Sequence, residues 1–289
     1  MTIMYSSGFM KRHPVLSFYI LTFAISWGGI LMEVSHGGVP GNSTQLAKSI
    51  PVMILEMLAG PTVASILLTG VVCGRAGYSD LVSRLLRWRI RIAWYAAALL
   101  PAPLVLMAVP LALSVRFPEF IPRILTASDK GSLVLMGFAA GSAAGLFEEL
   151  GWTGFVIPRL RLRLSAFRTS AIVGLLWGAW HLPVNVLASS TSSGGISIPG
   201  LLGTLLFSLA LLPGYRILMV WVWDQTDSLF AAMVMHMSLT ASNIILGATA
   251  TPGMMGPAFN LALAAAMWIV VAFSAMASRQ HRPMHSPAR

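Results

Sequence analysis

Charge is what this 289-residue chain has least of: 10% of its residues are Asp, Glu, Lys or Arg, and only nine are acidic. A soluble domain carries about 25% charged residues, so an ordinary water-exposed surface is excluded. Cysteine is nearly absent too. A lone Cys73 excludes an intrachain disulfide and any zinc cluster built on cysteines, leaving His and carboxylates as the candidate metal ligands. What is there instead is apolar: 56% hydrophobic residues and a mean hydropathy of +0.78. This is an integral membrane protein. The run from Val15 to about Val34 follows Lys11 and Arg12, is too long for a signal-peptide core and has no clear cleavage site. It reads as a first span. No repeat, low-complexity segment or linker interrupts the sequence, which predicts one membrane domain over 1–289 with a motif-bearing core at about 131–248.

A spanning helix needs about 20 mostly apolar residues. Eight segments qualify, at about 15–34, 50–74, 92–115, 131–157, 169–188, 200–223, 228–248 and 257–277, so the expected fold is all-α with about eight transmembrane helices. With a cytoplasmic N-terminus, the inner segments hold Lys11, Arg12, Arg75, Arg84, Arg87, Arg89, Arg91, Arg159, Arg161, Arg163, Arg168, Arg216, Arg279, Arg282 and Arg289. The outer ones keep Lys48, Arg116, Arg123 and Lys130. Fifteen against four is a strong positive-inside bias that predicts both termini inside and an uncharged outer loop at 189–199. The net charge of +10 therefore reflects topology, and no nucleic-acid partner is expected. The stretch 79–91 reads either as an interfacial helix or as a solvated basic loop.

Glu33, Asp80, Glu119, Asp129, Asp224 and Asp227 fall at span ends or loops, where water or headgroups solvate them. Glu56 precedes an expected Gly60-Pro61 break and reads as structural. Two carboxylates remain, Glu148 and Glu149 in "GLFEELGW". A carboxylate deep in a span costs about 2.5–3.5 kcal/mol, so an adjacent pair points to a polar, working interior. Of six histidines, His13, His36, His281 and His285 belong to termini or loops, whereas His181 and His236 lie in the fifth and seventh spans. At a rise of about 1.5 Å per residue, Glu148 lies roughly 16 Å, His181 roughly 20 Å and His236 roughly 14 Å from the inner boundary. Three helices thus carry ionisable groups at one level, which predicts a single polar site slightly to the cytoplasmic side of the midplane. Adjacent helical residues point about 100° apart, so one glutamate faces the site and the other braces the helix. Gly141, Gly145, Gly151 and Gly154 allow close helix approach. Pro183 weakens the helix beside His181, and Asn185, Ser238, Thr240 and Asn243 add hydrogen-bonding groups.

At these residues the chain resembles the CAAX protease and bacteriocin-processing (CPBP, or Abi) family of intramembrane proteases. The family pattern is Glu-Glu followed by three residues and Arg, then aromatic-x-x-x-His, then His-x-x-x-Asn, each on its own helix. "EELGWTG" (148–154) matches the first with Thr153 in the Arg position, "WGAWH" (177–181) the second with Trp177 as the aromatic, and "HMSLT" (236–240) the third with Thr240 for Asn. "GPTVAS" (60–65) resembles a weaker early segment. The resemblance implies hydrolysis of a peptide bond in a membrane-associated, prenylated or unprenylated peptide. Glu148 would be the base, His181 would hold the water, and His236 with Thr240 would face the oxyanion. Glu149, lacking the Arg one turn on, gains at most the Thr153 hydroxyl and must find another partner or be partly protonated. Glu148, His181 and His236 also have the composition of a His₂Glu zinc site, so zinc or another divalent metal stays open beside metal-free water activation. Other classes remain open: a catalytically weak scaffold or immunity protein, or a proton-coupled transporter. A bacterial cell membrane, with the site opening toward the cytoplasm, is the expected location.

Overall fold

The computed structural model describes residues 8–37, 43–191, 195–248 and 253–280. His281, His285, Arg282 and Arg289 lie outside them, as do parts of the 189–199 loop. Among the described residues there is no strand, and two isolated bridges, Pro122 with Ala248 and Ser190 with Ile196, are the β-type contacts.

Seven helices are long and apolar enough to span: α1 (Pro14–His36), α2 (Pro51–Leu85), α3 (Ile92–Ser114), α4 (Lys130–Arg161), α6 (Ile198–Thr226), α7 (Leu229–Leu246) and α8 (Met255–Met276). Between α4 and α6, Ala166–Trp180 and Leu182–Ala188 form one span, α5, bent by 42°. The eight apolar segments read from the sequence are these, within a few residues. Burial separates centre from periphery: 61% of the spanning window is buried in α6 and α7, against 28% in α1, α3 and α8.

Two readings of the sequence are corrected. The Gly60-Pro61 step does not break α2, which runs on through Pro61. Proline 61 has no N–H for the carbonyl of Met57, and the Ser26 hydroxyl of α1 donates to that oxygen instead at 2.8 Å. The change of direction comes at Gly74, whose φ of 59° and ψ of −149° suit glycine. Helix then resumes to Leu85 and the chain has no regular structure from Arg87 to Arg91, so the 79–91 stretch is half helix and half loop. The second correction is Arg216. Counted from its charge as a loop residue, it lies inside α6 with no exposed surface, which leaves fourteen basic residues against four.

Glycines set the contact that matters most for the site. A Cβ at Gly141 would stand 2.6 Å from the Met237 carbonyl oxygen, and one at Gly145 would collide with the Met233 carbonyl. Helix α4 therefore lies directly against the backbone of α7, which brings Glu148 opposite His236.

Candidate active site

Three local departures from the regular helix lie beside the site. After Gly151, α4 widens into a π-turn at Trp152–Val156, followed two residues later by Pro158. In α6 the same arrangement recurs, with a π-turn at Phe207–Leu211 ahead of Pro213. Proline cannot supply the i→i−4 bond, and the extra residue per turn absorbs that defect. In α5 the bend falls on His181, because Pro183 cannot continue the ladder. The His181 N–H bonds to Gly178 at 3.2 Å, which leaves the Trp177 carbonyl to accept from His181 Nδ1 at 2.8 Å. A carbonyl only accepts, so Nδ1 carries the proton and Nε2 keeps its lone pair.

The two glutamates are divided as their angular separation requires. Glu148, 4% exposed, accepts at Oε2 from Trp177 Nε1 at 2.8 Å and Trp152 Nε1 at 3.3 Å. Its other oxygen, Oε1, stands 3.8 Å from His236 Nε2. Glu149 is fully buried behind it. Arg216 donates from Nη1 to Oε2 at 2.8 Å and from Nη2 to Oε1 at 3.0 Å; His236 Nδ1 lies 2.7 Å from Oε1, and the Thr153 hydroxyl donates to Oε2. Glu149 has therefore found its other partner. The Arg216 guanidinium also lies over the Trp177 ring at 4.3 Å, and Trp177 meets the His236 ring edge-on at 5.0 Å. A closed circuit results, from Arg216 through Glu149, His236 and Glu148 to Trp177 and back.

Glu148, Trp177, His181, Asn185, His236, Thr240 and Asn243 line one polar cavity of about 400 Å³, joined by Thr204, Ser208 and Asn260. The Asn185 amide donates to Ser208 at 2.9 Å. Glu149 and Thr153 do not reach this cavity. A second cavity of about 450 Å³ is apolar, walled by Met53, Met57, Trp180 and Leu187 among others. The two share Ala144, Glu148, His181 and Thr240, so the carboxylate sits where polar and apolar space meet. Both cavities run from Glu148 toward the basic-poor end of the bundle, where α5 joins α6 and α7 joins α8.

Among the described residues, no group of three or more His, Cys, Asp or Glu is placed to hold a metal ion. His236 commits Nδ1 to Glu149 and His181 commits Nδ1 to the Trp177 carbonyl, which leaves both Nε2 atoms and Glu148 Oε1 uncommitted, but as placed the three groups do not converge on one point, and no step is routed through a metal.

Sequence reasoning missed Arg216 and Trp152. The signal for the first was present: a guanidinium inside an apolar run merits the test applied to the glutamates. The indole of Trp152 carried no such mark, since Trp in a span is ordinary packing.

Residues 130–242 match the family model "Type II CAAX prenyl endopeptidase Rce1-like". A curated relative, "CAAX prenyl protease 2" of Methanococcus maripaludis, is 29% identical over 107 residues, covering 37% of this chain and 39% of the relative. The chain thus spans about two fifths of that relative's length. Both matches bear out the family resemblance read from the three motifs.

Proposed function

Residues 130–242 fall within the Rce1-like CAAX prenyl endopeptidase family, and from that premise we propose that the chain is an intramembrane endopeptidase in which Glu148 activates water. The observation that carries this reading is the position of Glu148: its Oε2 is pinned by two indole N–H groups, while Oε1 and the Nε2 of His181 are left without a hydrogen-bond partner at the junction of the two cavities.

A water held between Glu148 Oε1 and the lone pair at His181 Nε2 loses a proton to the carboxylate as its oxygen attacks the scissile carbonyl. The tetrahedral oxyanion then lies toward His236 and Thr240, which share the cavity wall. Glu149 forked onto Arg216 acts as a carboxylate, so it holds a proton on His236 Nδ1; Nε2 donates to the oxyanion when the ring is cationic. Collapse breaks the C–N bond, and Glu148 returns its proton to the leaving amine.

The adjoining cavities suit a membrane-associated peptide whose apolar part lies against Met53 and Met57 while its polar backbone meets Asn185 and Asn243. The relative's name specifies a prenyl protease, and a prenylated C-terminus is accordingly one candidate for the apolar part. Thr153 and Thr240, the two departures from the family pattern, favour a catalytically weak relative; Arg216 supplies the guanidinium missing at the first, and Thr240 offers a hydroxyl at the second. A transporter would usually show internal repeats, and the sequence has none.

The experiment compares membrane peptides from cells carrying the native protein and Glu148→Gln. A precursor that accumulates only with the variant, and that the purified native protein cleaves in liposomes, supports the reading. Identical peptide profiles together with no cleavage would remove it.

A further inference from the structure

Helix α5 stops and restarts inside the bundle. Its first segment ends at Trp180, so carbonyls of that last turn lose their ladder partners at a depth where lipid supplies no water to replace them. Other donors take them up. The Gly178 carbonyl accepts from the His181 N–H at 3.2 Å, the Trp177 carbonyl from His181 Nδ1 at 2.8 Å, and the Trp180 carbonyl from the indole N–H of Trp27 at 2.9 Å. His181 makes the first two bonds itself. The third comes from α1, across 153 positions of sequence.

Trp180 passes that third bond on to the site. Its side chain is 1% exposed, meeting the His181 imidazole edge-on at 4.8 Å and Trp152 edge-on at 5.7 Å. The Trp180 carbonyl and the His181 nitrogen belong to one planar peptide group, so a donor that fixes the oxygen also fixes the plane from which the His181 side chain departs. Nine residues earlier on α1, about 14 Å of helix, Phe18 packs on Trp152 at 5.3 Å, and a Cβ at Gly151 would stand 2.7 Å from the Phe18 ring. Trp152 in turn donates to Glu148 Oε2. Helix α1 therefore bears on the neighbours of both groups that face the water: through Phe18 on the Glu148 side and through Trp27 on the His181 side. It does so from the periphery of the bundle and from outside residues 130–242.

Resting on the reading of His181 as the residue that holds the attacking water, we infer that Trp27 is a positioning residue for the reaction. Its N–H fixes the Trp180 carbonyl and, through that peptide group, the place of His181 Nε2 relative to Glu148 Oε1. The N–H carries this role and the ring does not: Trp27 is half-buried, with its ring against Phe23 of its own helix at 4.9 Å. An indole that only anchored α1 would affect stability and leave the chemistry of each folded molecule unchanged.

Trp27→Phe removes the N–H and keeps an aromatic ring beside Phe23. Loss of one bond that orients a reacting group should lower kcat by roughly two- to tenfold with KM nearly constant, and should add nothing in a His181→Gln background. A second readout needs no turnover: the histidine ring carbon–proton NMR signals of the detergent-solubilised protein, with that of His181 identified by its loss in His181→Gln. Trp27→Phe is expected to shift the His181 signal and leave those of His13 and His36 in place. Phe23→Leu, which loosens packing on the same indole but keeps its N–H, should lower the unfolding temperature with neither effect. An unmoved His181 signal overturns the inference whatever the activity, as does a shifted signal with unchanged kcat, a rise in KM at constant kcat, or a loss repeated in full beside His181→Gln. No cleavage by the native protein would count against the protease reading instead, and the NMR signal would still decide whether Trp27 holds His181. Should Trp27→Phe not accumulate, the benzothiophene isostere of tryptophan at position 27 replaces the N–H by sulfur at constant shape and answers the same question.

Discussion

Arg216 of α6 holds Glu149 of α4 across 67 positions of sequence, one guanidinium nitrogen on each carboxylate oxygen at 2.8 and 3.0 Å, with both side chains fully buried. This fork does the work that the family pattern assigns to an arginine at position 153. Thr153 adds its hydroxyl to the same carboxylate, so the site has a guanidinium from a different helix and a smaller residue where it would otherwise stand.

Breaking a buried ion pair by removing one partner costs about 3–5 kcal/mol, because the other charge is left unpaired. Arg216→Met and Glu149→Gln are each expected to lower the thermal unfolding temperature of the detergent-purified protein sharply, and the double variant to recover much of that loss. Thr153→Arg alone crowds a second cation into a filled site and lowers stability. In the Arg216→Met background it supplies an i,i+4 partner for Glu149 and raises stability. Additive losses in the double variant, or the same effect of Thr153→Arg in both backgrounds, would break the argument.

Glu148 makes the opposite trade. Among the described residues no Lys or Arg pairs with it, and its hydrogen bonds come from two neutral indoles, so Glu148→Gln should leave unfolding nearly unchanged while turnover drops by roughly 10² to 10⁴, as expected for loss of a general base. Thermal unfolding and peptide cleavage measured on one preparation decide it. A Glu148→Gln protein that cleaves normally assigns the base elsewhere.

Most of the frame was legible because the constraints on a spanning helix are local. Eight apolar runs appear as eight spans, and depth counted along each helix was enough to bring Glu148, His181 and His236 to one cavity. The rest depended on neighbours that no local count includes. Arg216 reads as a loop residue because basic residues ordinarily lie there; only the packing of α6 on α4 shows the carboxylate that keeps it buried. Glu149 lacked a partner for the same reason. Gly60-Pro61 reads as a break until Ser26 of α1 takes the carbonyl that Pro61 cannot bond. The course of the cavity was invisible because depth measures how far a residue lies from a boundary, not which half of the bundle is packed.

The placement of the donors bears on metal content. Among the described residues no three His, Cys, Asp or Glu side chains converge on one point, so closing the Glu148, His181 and His236 trio on one ion would require the side chains to move. Purified protein is expected to contain metal well below one equivalent by elemental analysis, and to keep its cleavage activity after exhaustive chelation. Near-stoichiometric zinc that disappears in a His181→Ala, His236→Ala double variant would instead establish a metal centre.

The indoles offer a test that separates positioning from packing. Trp177 donates to Glu148 Oε2 at 2.8 Å and also presents its face to Arg216, whereas Trp152 donates to the same oxygen at 3.3 Å within a cluster containing Phe18 and Trp180. Phenylalanine at either position keeps an aromatic ring but removes the N–H. A hydrogen bond to a charged group contributes about 1.5–3 kcal/mol, so Trp177→Phe should lower turnover by roughly ten- to a hundredfold if that bond orients the base. Trp152→Phe, losing the longer bond, should cost less. Because both indoles act through the Glu148 carboxylate in this scheme, the loss should fall on kcat with KM nearly constant, and neither change should add to Glu148→Gln. A rise in KM at constant kcat would make Trp177 part of the substrate surface. Additive loss in the Trp177→Phe, Glu148→Gln pair would show that the indole acts independently of the carboxylate.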